Sequence, residues 1–151
     1  MREPKLGNGG LQLLIVDDSE DDMILTCEAL AGTEHLRVGH RARSGEEALA
    51  YLRREGPFKK AARPSMVLLD VNMHGMSGME VLRAIKTDPN ISAIPVVVLT
   101  VSGREEDISR AYAVGASSYL RKPLSFPDLL LAFKHFETYW TQIARVPGVK
   151  P

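Results

Sequence analysis

The chain has one cysteine, Cys27, and one tryptophan, Trp140, and only 6% of its residues are aromatic. A lone cysteine excludes an internal disulfide framework and any cysteine-based metal cluster. Cys27 falls inside a helical pattern with no ligand-spaced neighbour, which fits a reduced compartment, so a cytoplasmic location is expected. Nineteen basic and nineteen acidic residues leave no net charge. That balance lacks the one-signed field of a nucleic-acid or membrane-surface protein, and neither partner is expected. No stretch approaches the ~20 apolar residues of a membrane span. Residues 1–10 are polar, contain glycine and lack the apolar core of a signal peptide, and they read as a disordered lead-in. The length of 151 residues suits one domain. Roughly 68–70% of the unfolded surface of such a chain can be buried without staples.

What is present is a repeated alternation of apolar runs and capped helices. Leu11–Val16 reads as the first strand, followed by a helix over Glu20–Ala31 capped by Ser19, with acids in its first turn. His35–Arg41 alternates as a second strand. Ser44 and Glu47 make a capping-box pattern for a helix to about Arg54. Ser65–Leu69 is the third strand, with a helix from the Ser77/Glu80 box to about Thr87. Ile94–Leu99 is the fourth, with a helix from the Ser102/Glu105 box to Val114. Ser117–Leu120 is the fifth, and a long last helix runs from Phe126 to Ala144 behind Ser125 and Pro127. Strands one, three and four are nearly all apolar, as strands covered on both faces are. The spacing predicts an α/β fold, a flavodoxin-like (βα)5 doubly wound parallel sheet of order 2-1-3-4-5. The domain spans residues 11–145, with 146–151 as a tail.

In such sheets ligands sit at the carboxyl ends of the strands. There this chain places Asp17 and Asp18 after strand one, Asp70 after strand three, Thr100 after strand four and Lys122 after strand five. Adjacent acids after a strand also serve as a helix-start signal. Asp70 does not, because Ser77 caps the next helix. Clustered carboxylates repel by about 4 kcal/mol per pair at about 4 Å and an effective dielectric of about 20. A hard cation such as Mg2+ and the fixed charge of Lys122 offset this. The same charges stabilise a phosphorylated Asp70, with the Thr100 hydroxyl donating to a phosphoryl oxygen.

The segments Val16-Asp17-Asp18-Ser19, Leu68-Leu69-Asp70-Val71-Asn72-Met73, Leu99-Thr100 and Tyr119-Leu120-Arg121-Lys122-Pro123 resemble the receiver domain of two-component response regulators. The resemblance covers residues 11–143. It implies that Asp70 accepts a phosphoryl group from a sensor histidine kinase, and that the chain is a phosphoacceptor rather than an enzyme. It implies Mg2+ held by Asp18 directly, by Asp17 through water, by Asp70 and by the main-chain carbonyl of Asn72. Thr100 and Tyr119 become a switch pair, Lys122 holds the phosphate, and the bond to Pro123 is cis. This chain departs from the family at His74, where proline is frequent, at Ser77, where an acid is frequent, and at Val101, a branched residue expected to narrow access to Asp70.

No output domain is legible after the last helix, so the signal is expected to leave through a changed partner or oligomeric state. Leu129, Phe133, Phe136, Trp140 and Ile143 form a stripe, part of which covers the sheet. Tyr139, Trp140 and Ile143 extend beyond it, and Phe136, Tyr139, Trp140 and Ile143 are expected to make a homodimer interface. The loop before strand three, the fourth strand and the Tyr-Trp-containing last helix resemble single-domain regulators paired with bacterial and cyanobacterial phytochromes. An aspartate-nucleophile phosphatase would need an acid two residues after Asp70, where Asn72 stands. A non-phosphorylated receiver-like interaction module is the remaining alternative, against which the complete acid set counts.

Overall fold

Alternate residues of a strand face opposite sides of the sheet, and β1 (Leu11–Val16) uses both. Leu11, Leu13 and Ile15 enter one core, and Leu14 and Val16 enter the other. The computed structural model describes residues 10–148. Along the chain follow α1 (Glu20–Ala31), β2 (Leu36–Ala42), α2 (Gly45–Arg53), β3 (Met66–Leu69), α3 (Gly78–Thr87), β4 (Val96–Thr100), α4 (Glu105–Val114), β5 (Ser118–Arg121) and α5 (Phe126–Thr138). The strands form one parallel sheet of order β2-β1-β3-β4-β5, the order the sequence predicts. Helices α1 and α5 cover one face with Met23, Leu30, Leu129 and Phe133. Helices α2, α3 and α4 cover the other with Leu49, Leu52, Leu82, Ile85 and Ala111. Among the described residues no helix is long and apolar enough to cross a membrane. Of the expected lead-in, only Gly10 lies within the described residues.

Several element ends differ from the sequence reading for local reasons. β4 begins at Val96, because Pro95 has no N–H for the ladder; its carbonyl still accepts from Val67. The strand runs on through Thr100, which puts that hydroxyl inside the sheet. The expected Ser102/Glu105 box does not form. Ser102 Oγ instead donates to Asp107 at 2.6 Å, and α4 starts one residue after Arg104. The Ser77/Glu80 box does form, with both reciprocal hydrogen bonds.

The last helix is not one α-helix to Ala144. After Thr138 it widens into a π turn over Tyr139–Ile143, closed by Ala144 N donating to Tyr139 O at 2.7 Å. Thr138 and Thr141 each donate their hydroxyl to the carbonyl four residues back, a pairing that bends helices. The chain then turns so that Val146, expected in a tail, is buried in the core shared with α1 and α5.

Gly78, the first residue of α3, matters for the geometry of the site. A Cβ there would stand 2.2 Å from the Asp70 carbonyl oxygen and 2.4 Å from Val71 Cα. The helix can approach the end of β3 only because that atom is missing. Gly78→Ala is expected to destabilise the fold by about 1–3 kcal/mol through overpacking against backbone. Denaturant unfolding with an unchanged midpoint would contradict this.

Candidate functional site

β1 lies between β2 and β3, and its ladders run one residue on, to Asp17 on the β2 side and to Asp70 on the β3 side. Asp17 N donates to Ala42 O at 3.1 Å, and Asp70 N donates to Val16 O at 3.0 Å. Both acids are therefore anchored by their main chain at the carboxyl edge, with the residues only 3% and 7% exposed. Lys122 follows β5, where its N–H donates to Thr100 O at 2.7 Å. From there its side chain reaches beneath the edge. Its Nζ lies 2.9 Å from Asp17, 3.4 Å from Asp22 and 3.6 Å from Asp70.

Asp22 is the residue that sequence reasoning missed. It was legible only as an acid complementing the α1 dipole. Ser19 Oγ accepts from Asp22 N, which fixes the first turn of the helix and brings the Asp22 carboxylate over the strand end. Oxygens of Asp17, Asp22 and Asp70 lie within 4.8 Å of one another. Three carboxylates against one ammonium leave two negative charges in excess, the charge a divalent cation neutralises. An all-oxygen donor set of this kind suits a hard ion such as Mg2+.

Asp18 stands apart from that trio. Its Oδ2 accepts from His74 N at 2.7 Å and makes a 3.1 Å contact with His74 Nδ1. The structure thus brings Asp17, Asp70 and Lys122 together as predicted but places Asp18 in the β3–α3 loop contact. Asn72 N donates to Asp70 Oδ1 at 2.9 Å, and Asn72 Nδ2 donates to Thr100 Oγ1 at 3.0 Å. Thr100 is fully buried. Tyr119 is half-buried; its hydroxyl donates to Ser102 O at 2.9 Å, and its N–H donates to Tyr112 Oη at 3.2 Å. Val101 is exposed.

Two expectations need correction. No cis peptide occurs among the described residues, so the Lys122–Pro123 bond is trans. Trans is the intrinsically favoured isomer by about 0.5–1 kcal/mol, and Lys122 reaches its three carboxylates from it. The expected interface set also divides. Phe136 is buried in the core and Trp140 packs against it, while Tyr139 and Ile143 are 49% and 68% exposed.

The environment moves the ionisable groups in different directions. Burial pushes the Asp70 carboxyl above the ordinary aspartate value, against the opposing pull of the Asn72 N–H and Lys122, with the neighbouring Asp17 charge adding to the rise. Burial would lower Lys122, but the Asp17 hydrogen bond and the surrounding carboxylates outweigh it and hold the ammonium above its usual range. Asp18 is lowered, first by the His74 N–H and further by the His74 ring.

The family model described as "Response regulator receiver domain" matches residues 13–134, and the chain belongs to that family. The response regulator Rcp1 of Synechocystis sp. is 34% identical over 139 residues, covering 90% of this chain and 92% of that protein. The crystal structure of the phosphorylated cyanobacterial phytochrome response regulator RcpA superposes with a TM-score of 0.85 at 37% identity, covering 92% of this chain and 99% of that one. RPA3017, described in red light signalling of R. palustris, superposes with a TM-score of 0.83 at 27% identity, covering 91% and 98%. The Mn(2+)-bound form of Rcp1 has the same fold, with a TM-score of 0.82 at 33% identity over 91% of this chain and 99% of that one. The chain is a response-regulator receiver domain, a class that carries a phosphoryl group on an aspartate beside a divalent metal ion rather than turning over a substrate.

The raised Asp70 carboxyl has a consequence for stability. A group whose value is higher folded than unfolded binds protons more readily in the folded state. The stability it contributes is present below the unfolded aspartate value and is lost as pH rises through the folded one. Asp70→Asn fixes a neutral side chain there. In chelator, its melting temperature at neutral pH is expected to exceed that of the wild type by a few degrees, with the gap closing as pH falls. Calorimetry showing an equal or lower value at neutral pH would contradict this.

Proposed function

We propose that Asp70 accepts a phosphoryl group from a phosphohistidine on a sensor histidine kinase of the phytochrome type. The convergence of Asp17, Asp22 and Asp70 on Lys122 at the carboxyl edge of the sheet carries this reading. Similarity to RcpA, Rcp1 and RPA3017 supports the light-sensing partner. An Asp70 oxygen attacks phosphorus in line with the bond to the kinase imidazole. That bond breaks, its electron pair stays on the imidazole nitrogen, and the Asp70–phosphorus bond forms. Asp18, Asp70 and the Asn72 carbonyl would hold Mg2+, with Asp17 acting through water. Bound Mg2+ supplies positive charge against the phosphoryl oxygens.

Lys122 is already within reach of Asp70 and shifts its charge from the free carboxylates to the phosphoryl oxygens. Thr100 donates its hydroxyl proton to one of them, a proton not used in the contact where its oxygen accepts from the Asn72 amide. Tyr119 leaves the Ser102 carbonyl and turns inward behind Thr100. The phosphate thereby shifts an existing equilibrium of the α4–β5–α5 face. That face holds a groove of about 460 Å3 lined by Leu120, Phe133, Phe136, Tyr139 and Trp140. Exposed Tyr139 and Ile143 flank the end of α5, and they are the surface we assign to a homodimer.

A phosphatase reading gains no support, because Asn72 has no acidic proton to give a leaving group. Intact mass after incubation with Mg2+ and acetyl phosphate tests the assignment. Wild type is expected to gain one phosphoryl group and Asp70→Asn none. A modified Asp70→Asn protein, or continuous turnover of donor without a lasting adduct, would overturn it. In the same samples, sedimentation is expected to show a dimer that Ile143→Glu converts to a monomer. A monomeric wild type in both states removes the interface.

A further inference from the structure

His74 spends both of its nearby donors on one acceptor. Its main-chain N and its Nδ1 lie 2.7 Å and 3.1 Å from the same oxygen, Asp18 Oδ2. The rest of the imidazole is fully exposed. Gly75, which follows at a φ of +71°, lets the loop turn tightly after this contact.

An octahedral Mg2+ with bonds of about 2.0–2.1 Å holds its oxygen ligands no more than about 4.2 Å apart. Asp17 and Asp70 approach that spacing already, in company with Asp22. Asp18 does not belong to the convergent group. To join as a ligand its carboxylate has to move toward the other acids, away from the two donors of His74 that hold Oδ2. The free energy of those bonds is then subtracted from the binding of the ion. Proline at this position would offer neither donor, having no N–H and no imidazole.

We infer that His74 is a latch on Asp18 that weakens the pocket's hold on Mg2+. The inference rests on the metal-dependent reading of the acidic pocket given under Proposed function. His74 acts through Asp18 and is a positioning residue. Its effect is to keep the ion-free pocket organised, with Asp18 parked on the β3–α3 loop and Lys122 shared among the other three acids. An arriving ion has to displace both arrangements. The loop between β3 and α3 therefore senses whether the ion is bound, because one of its main-chain donors is free only in the bound state.

Calorimetric titration of the chelator-stripped full chain with Mg2+ tests this. His74→Ala removes the ring donor and is expected to bind about threefold tighter than wild type, the effect of one modest hydrogen bond. His74→Pro, which also lacks the main-chain donor, is expected to bind tighter still. His74→Asn restores a side-chain donor and is expected to return toward wild type. Amide hydrogen exchange gives a readout that a merely structural role would not move. The His74 N–H is expected to be protected without the ion and to lose protection at saturating Mg2+. Equal or weaker binding by His74→Ala, or an amide that stays protected when the ion is bound, would overturn the latch. A wild type that binds no Mg2+ at all would instead sink the metal reading of the pocket, and the latch with it.

Discussion

One ammonium group holds the carboxyl edge of this sheet together. Lys122 Nζ sits among Asp17, Asp22 and Asp70, which belong to the end of one strand, the first turn of a helix and the end of a second strand. Removing charges from water costs several kcal/mol per ion unless each finds a partner. Here one cation serves three anions, so the cluster is held in place and still short of positive charge. That shortage is the useful property. It makes the edge receptive to a divalent cation, and it keeps Lys122 poised to follow negative charge wherever it appears.

The sheet exists to bring those groups to one place. Asp17 and Asp70 are neighbours because β1 and β3 pair in register, Val16 opposite Leu69. Lys122 arrives from two strands further away, carried by the pairing of Thr100 with Arg121 at the other end of the sheet. Gly78 lets α3 press against the main chain of Asp70, and the β3–α3 loop is drawn back over Asp18. A change at any of these supports would move a charge by the small distance that decides whether it interacts.

Most of this architecture was legible in the chain. Apolar runs such as Val96–Leu99 are too short for helices and too apolar for a one-sided strand, so they specify a sheet covered on both faces. Each run is followed by its acid, hydroxyl or lysine, and parallel strands put those ends on one edge. The misses have a common physical cause. Asp22 looks like any acid at a helix start, and its place in the cluster depends on how α1 is set against the sheet. Asp18 reads as a twin of Asp17, yet the two carboxylates leave the chain in different directions and one meets His74. The π turn after Thr138 and the burial of Val146 depend on threonine hydroxyls competing for backbone carbonyls, which hydrophobic periodicity does not register. Ser102 follows the capping pattern, but a nearby carboxylate, Asp107, takes its hydroxyl.

The central claim is that burial at this anion-rich edge raises the Asp70 carboxyl while Lys122 pulls it back down. Carbon-13 NMR titration of the Asp70 carboxyl, in chelator, tests it most directly. A midpoint above that of an ordinary aspartate is expected in the wild type, a still higher one in Lys122→Met, and a fall when Mg2+ is added. An ordinary midpoint that is indifferent to both the lysine and the ion would contradict it.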